Sequence, residues 1–292
     1  MQEYGVLYHY TSLEAFANII KTKEFRLFDI TKSNDPLEGE YMLRALKKTC
    51  NFFSFSDSGL SEDQYRLARR ALFDFEQEIY GRSRFKDFFA SASFCIPHHQ
   101  LMMLRSYADN GRGVSVGVAW ATLENLAEKI PNIEFKRVQY LSETDMKNRA
   151  MNFWGATVPN LKIGKNDIDN EDLIPIIEAI KKEFEEGLFI KSKPNEDEEE
   201  YRLLYHCKDL FALHLPKVPV DIPVEVDFAI LRDDIKAYYK IPLGTEEKDL
   251  FHFQNIVLGP LCKATPDEMQ VFLQKNGIFM NSISENSDIY MR

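Results

Sequence analysis

Cysteine is scarce, and what there is stands apart. The four thiols (Cys50, Cys95, Cys207 and Cys262) are scattered through 292 residues with no Cys-x-x-Cys pair. That spacing argues against a disulfide framework and a zinc site, and reads as reduced thiols in a cytosol. Long apolar runs are missing too: none approaches the ~18 residues needed to span a bilayer. The opening residues, with Gln2, Glu3 and Tyr4, lack the basic and apolar regions of a secretory signal. The expectation is a soluble, cytoplasmic chain with no membrane partner. Positive charge is also short. Against 46 Asp and Glu stand only 36 Lys and Arg, a net charge of −10. This removes any general electrostatic footprint for nucleic acid, although a local basic groove stays compatible with it.

Several chemical signatures are absent as well. There is no Walker A sequence, no Gly-x-Ser-x-Gly and no catalytic-cysteine pattern. Gly111-Arg112-Gly113 followed by Gly117 has the spacing G-x-G-x-x-x-G, and its glycines fall before and within a strand. A Rossmann fingerprint needs them after a strand and opening a helix, so that reading fails. His98-His99 are neighbours, and adjacent residues on a helix point about 100° apart. His206-Cys207 adjoin a strand, where successive side chains face opposite ways. Neither pair suits a metal, and no metal is expected.

What the chain does have is aromatic mass, with 22 Phe and 13 Tyr for a core and for stacking surfaces. Leu7-Tyr8-His9-Tyr10-Thr11 reads as an apolar strand running into a helix, with Thr11 and Glu14 as a capping box before Leu13, Phe16, Ala17 and Ile20. Strands are expected at Phe25–Phe28 and Phe88–Cys95. Asn34-Asp35-Pro36 forms a loop, and Ser61 with Gln64 caps a helix ended by Gly81. A Met-rich helix spans about Leu101–Ala108, and Val114, Val116 and Val118 alternate as a half-buried strand. A helix near Leu123–Ile130 and a strand ending at Val138 and Tyr140 follow. Residues 141–170 read as irregular, and Leu173–Phe189 as a helix with Pro175 in its first turn. Strands near 201–205, 223–230, 235–241 and 254–258 precede a final helix from Pro266, capped by Thr265. Helices early and strands late favour α+β with a largely antiparallel sheet. One domain over 1–292 is expected, with helical or irregular insertions near 57–86 and 141–190.

Two places carry chemistry. His9-x-Thr11 at a helix N-terminus offers an imidazole, a hydroxyl and free backbone N–H groups, which suits a ribose and an amide. The bland alternative is a structural histidine bonded to a carbonyl. Further on, Glu196-Asp197-Glu198-Glu199-Glu200 reads either as a solvated loop or, if the next strand extends backwards, as Glu198 and Glu200 on one face. Two carboxylates at that spacing can face one cleft and oppose an oxocarbenium-like positive charge.

In order along the chain, Leu7–Thr11, Asn34-Asp35-Pro36 with Glu38, Ser93-Phe94, Met103–Gly113 and Glu198–Arg202 form a pattern. It resembles a large bacterial domain family first catalogued as of unknown function, over residues 7 to about 275, and Ile256–Gly259 also fit. That family is similar to a distant branch of the ADP-ribosyltransferase fold. The resemblance implies an α+β, ADP-ribosyltransferase-like fold and cleavage of NAD as substrate. Catalysis would rest on Glu200, His9 and Ser93, with Glu198 orienting the acceptor. Tyr8, His9, Tyr10, Thr11, Asn34, Asp35, Tyr107 and Arg202 would contact NAD. It further implies a macromolecular acceptor, protein or nucleic acid, a toxin or phage-defence role, and a neutralising antitoxin as a further partner. Leu104 stands where a Trp is common and Ser106 where a His is common. An NAD glycohydrolase and an inactive interaction module are the alternatives.

Overall fold

The computed structural model describes residues 5–33, 37–52, 61–80, 87–96, 100–158, 170–208, 225–231, 234–244, 251–280 and 282–286. Asn34, Asp35, Gly81 and the His98-His99 pair lie outside them.

Strand β1 (Val6–Thr11) leads into helix α1 (Leu13–Thr22) and returns as β2 (Glu24–Asp29). The cap of α1 is Ser12, whose hydroxyl accepts from the Ala15 N–H at 3.1 Å, and not the expected Thr11. Thr11 is still in the strand, buried and paired with Val114. Next come α2 (Tyr41–Phe52), α3 (Glu62–Tyr80), β3 (Asp87–Cys95), α4 (Gln100–Tyr107), β4 (Val114–Ala119) and α5 (Trp120–Lys129). Then follow β5 (Ile133–Arg137), β6 (Gln139–Leu141), α6 (Glu143–Thr157), α7 (Asn170–Gly187), β7 (Ile190–Ser192) and β8 (Glu200–Lys208). The chain closes with β9 (Glu225–Leu231), β10 (Asp234–Pro242), β11 (Phe253–Leu258), α8 (Pro266–Lys275) and β12 (Ile283–Glu285).

The class is α+β with a mostly antiparallel sheet, but strands and helices interleave and do not separate into early and late halves. Ten strands form one sheet in the order β12-β11-β4-β1-β3-β2-β10-β9, and β8 joins β3 to β5. Strands β6 and β7 pair in parallel as a separate unit. Strand β4 is buried on both faces, Ser115 included, and not half-buried as its alternation predicts. Phe16 and Ile20 of α1 with Met269 and Leu273 of α8 cover one side, while Met103 and Leu104 of α4 meet Tyr8 and Tyr10 on the other.

Helices α2, α3, α6 and α7 gather around Phe75, Trp154 and Phe184 and pack on Phe89 and Leu204 of the sheet. Residues 143–157, expected to be irregular, are helical because Ser142 and Asp145 form a complete capping box. Only Met146, Ala150 and Trp154 of that helix are buried, a stripe too thin to stand out among polar neighbours. Pro175 sits inside α7 and not in its first turn. Among the described residues no helix is long and apolar enough to cross a membrane.

One topological detail builds the site. Strand β8 pairs along the whole of β3, from Asp87 to Cys95, and so occupies one edge of it. Strands β1 and β2 must therefore share the other edge. β1 attaches at Cys95 through Tyr8, and β2 at Ser91 and Ala90 through Phe28 and Asp29. Between these attachments the sheet forks, and Ser93 stands in the fork.

Candidate functional site

At the fork a backbone carbonyl needs a partner that no strand supplies. His9 supplies it: its Nδ1 lies 3.0 Å from the Ser93 carbonyl oxygen. A carbonyl only accepts, so Nδ1 carries the proton and Nε2 of the neutral ring is left as an acceptor. Burial lowers the His9 pKa, against the opposing pull of that hydrogen bond, and keeps the ring neutral. Phe25 and Phe94 hold the ring at centroid distances of 5.1 and 5.7 Å. The bland expectation of a histidine satisfied by a carbonyl and the functional one thus describe the same side chain.

The side chain of Ser93 continues the line. Its hydroxyl donates to Glu200 Oε1 at 2.6 Å. Glu200 is only 1% exposed. Arg202 Nε donates to the same oxygen at 2.9 Å, and the Lys191 ammonium lies 2.7 Å from Oε2. Oε2 is itself buried and faces that ammonium. Burial pushes the Glu200 carboxyl up, but Arg202, Lys191 and Ser93 outweigh it and hold it down at about 2. The group is an anion throughout the neutral range.

Around it stands an ionic cluster. Arg202, completely buried, also reaches Glu38 and the Leu188 carbonyl. Lys191 lies 2.8 Å from Glu198 and 3.5 Å from Glu38. Tyr107 donates its hydroxyl to Glu198 Oε1 at 2.6 Å. The Glu200 N–H donates to the Tyr140 hydroxyl at 2.9 Å. Three carboxylates and two cations leave one negative charge in excess. Beside the cluster opens a cleft of about 380 Å³ lined by His9, Tyr10, Thr11, Ser93, Glu198 and Glu200 among others. Arg26, Lys32 and Lys236 line it too, from β2, the turn after it and β10.

Of the residues expected from sequence, the fold thus brings together His9, Tyr10, Thr11, Ser93, Tyr107, Glu198 and Glu200, with Arg202 behind Glu200. Tyr8 does not join them. Its side chain packs with Cys95 and Met103, and its hydroxyl accepts from Asn255 Nδ2 at 2.9 Å. Alternation along β1 sends Tyr8 and His9 to opposite faces. Glu198 arrives by a different route from the expected strand extension. Lys193–Glu198 is a 3-10 helix, and Glu199 takes φ 42°, so the strand begins only at Glu200.

Sequence reading passed over Lys191 and Tyr140 and gave Glu38 no role. Lys191 is delivered by β7, opposite Tyr140 of β6 in register. Its only signal was a lysine directly after Leu188-Phe189-Ile190, an apolar run that must be buried. Cys95 also lines the cleft, but burial and then Glu200 and Glu198 push its thiol well above the usual range, which leaves it unreactive. Among the described residues no group of three or more His, Cys, Asp or Glu is placed to hold a metal ion. The three converging carboxylates are instead taken up by Lys191 and Arg202. Compared with protein-family models, with curated proteins and with solved structures, the chain has no match.

Proposed function

We propose that the protein is an NAD-dependent mono-ADP-ribosyltransferase, built on an ADP-ribosyltransferase-like fold and acting on a macromolecular acceptor. In this reaction the bond from the ribose C1′ to the nicotinamide nitrogen breaks, and its electron pair leaves with nicotinamide. An acceptor nucleophile then bonds to C1′ and loses its proton. The leaving group departs neutral, so the demands are positioning and stabilisation of positive charge on the ribose. No metal is needed for either.

The observation that carries the reading is an ionised Glu200 in the wall of a cleft, fixed there by Ser93, Arg202 and Lys191. The carboxylate and the surplus negative charge of the cluster oppose the developing cation on the ribose. His9 Nε2 accepts from a second hydroxyl, Thr11 and Tyr10 hold the nicotinamide end, and Ser93 and Arg202 fix Glu200. Toxin or phage-defence activity in the cytoplasm, with a neutralising antitoxin, follows from the same reading.

A second reading has one observation in its favour. Both oxygens of Glu198 are engaged, one by Tyr107 and one by Lys191. A carboxylate so tied orients an acceptor less readily, which favours hydrolysis of NAD by water. Incubation with labelled NAD and with nuclease- or protease-treated lysates separates the two. Transfer leaves label on a macromolecule, and hydrolysis leaves free ADP-ribose. Glu200→Gln should lower either product by at least ~100-fold, the scale of losing a preorganised electrostatic group. Normal turnover by a well-folded Glu200→Gln protein would refute the role given to Glu200, and no product from the wild type would leave the inactive interaction module.

A further inference from the structure

The cluster beside the cleft contains a lysine whose position is unlike that of its neighbours. Arg202 contacts Glu200 and Glu38, and Tyr107 contacts Glu198 alone. Lys191 reaches all three carboxylates, at 2.7 Å from Glu200, 2.8 Å from Glu198 and 3.5 Å from Glu38. It is 4% exposed, so little of that attraction is lost to water. It also comes from outside the main sheet. The short parallel pair β6–β7 sets Lys191 opposite Tyr140, and Tyr140 accepts the Glu200 N–H. One small unit therefore braces both the backbone and the carboxylate of Glu200.

We propose that Lys191 is a positioning residue, bridging Glu198 and Glu200 so that the two carboxylates stand as a fixed, ionised pair at the cleft. It touches no reacting atom and acts through the two glutamates. The inference rests on the NAD reading only for the reaction that the pair serves. Without the ammonium, three carboxylates would face one guanidinium at close range in a site from which water is largely excluded. Like charges there raise one another's proton affinity, and Glu200 has the least access to solvent. It would take up a proton and lose its power to oppose a cation.

The groups facing this pair come from every side: Glu38 ahead of α2, Cys95 of β3, Tyr107 of α4, Tyr140 of β6 and Arg202 of β8. His9 lies one residue further, behind Ser93. Burial first, then the glutamates, push Cys95 upward, and burial dominates the upward shifts of Tyr107 and Tyr140. His9 is shifted down. An acid limb moving up towards neutrality would thus belong to the glutamates.

The test compares Lys191→Met and Lys191→Arg with the wild type in two arms. In the first, NAD consumption is followed from pH 4.5 to 8.5. Lys191→Met should depress the rate at pH 4.5, relative to that at 8.5, at least tenfold more than the wild type shows, and Lys191→Arg should restore it. In the second, thermal unfolding is followed over the same range without NAD. Lys191→Met should lose stability as pH rises, a slope absent from the wild type and from Lys191→Arg. A Lys191→Met rate lowered equally at every pH, or an unfolding curve parallel to the wild type, overturns the proposal. If the wild type consumes no NAD, the reaction reading fails, and the second arm alone decides the role of Lys191.

Discussion

Replacing Glu200 by Gln should change how stability responds to acid more than it changes stability at neutral pH. The carboxyl is held at about 2 against an ordinary 4.5. At ~1.4 kcal/mol per pH unit, that difference corresponds to about 3 kcal/mol. The sign follows from the direction of the shift. A depressed carboxyl contributes its stabilisation in full above the unfolded value of 4.5, and the contribution drains away as pH falls towards 2. The Gln variant has no such group to protonate. Its cluster also stays balanced, because Glu38 and Glu198 then face Lys191 and Arg202, two charges of each sign. A folded variant is therefore expected. The assay is thermal unfolding of both proteins between pH 6 and 2.5. About three quarters of this is lost by pH 2.5, so at roughly 2–4 °C per kcal/mol the difference in Tm should shift by roughly 5–10 °C across the range, against the wild type at the acid end. His9 and the helix-capping acids Asp145 and Glu268 are common to both proteins and cancel in the difference. Two curves that run parallel from pH 6 to 2.5 would refute the electrostatic account of Glu200.

His9→Phe should remove a different pH response. Because burial holds the ring neutral, its contribution is complete above the ordinary 6.5 and is lost as pH falls below it, so the wild type should weaken between pH 7 and 5 more than the variant does. Urea midpoints at pH 5, 6 and 7 measure this, and equal slopes would count against a half-buried imidazole held neutral. Gly113→Ala should cost ~3 kcal/mol, at the upper end for overpacking, because a Cβ there would meet the backbone carbonyl of Thr11. Circular dichroism melting checks it, and an unchanged Tm would contradict the close approach of the β1 and β4 ends.

The parts of this molecule legible in the sequence are those with local causes. The Ser61–Gln64 cap and the Thr265 cap hold as expected, the latter completed by Glu268, since each is closed by hydrogen bonds within four residues. The strand around Tyr201–Tyr205 and the positions of Ser93 and Glu200 were also recoverable. The failures have non-local causes. Thr11 lost the cap to Ser12 because pairing with Val114 kept it in the strand. Helix α6 is the exception, since its Ser142–Asp145 cap is local; its thin buried stripe hid it, with packing partners such as Leu46 of α2, whose carbonyl accepts from Trp154 Nε1. The glycines that failed as a nucleotide fingerprint have another use. Gly113 and Gly117 lie where neighbouring strands come too close for a Cβ. Lys191 was invisible for the deepest reason. Its meaning depends on three carboxylates gathered from Glu38, Glu198 and Glu200, and only the fold assembles them.

The fork in β3 makes the sheet mechanically uneven. On one edge, nine paired positions tie β3 to β8, a seam that resists shear along its whole length. On the other, β1 is joined at the single pair Tyr8–Cys95, and β2 at two positions further back. Across the gap an imidazole reaches the Ser93 carbonyl, so a side chain serves as the missing rung of a ladder. The fork is therefore held closed by that one hydrogen bond and by ring contacts, Phe25 of β2 on Phe94 of β3 at 5.8 Å among them, while the strand beneath keeps its full complement on the other side. A substitution of that histidine would thus leave the Ser93 carbonyl without its partner and place the first demand for adjustment on the backbone of β3.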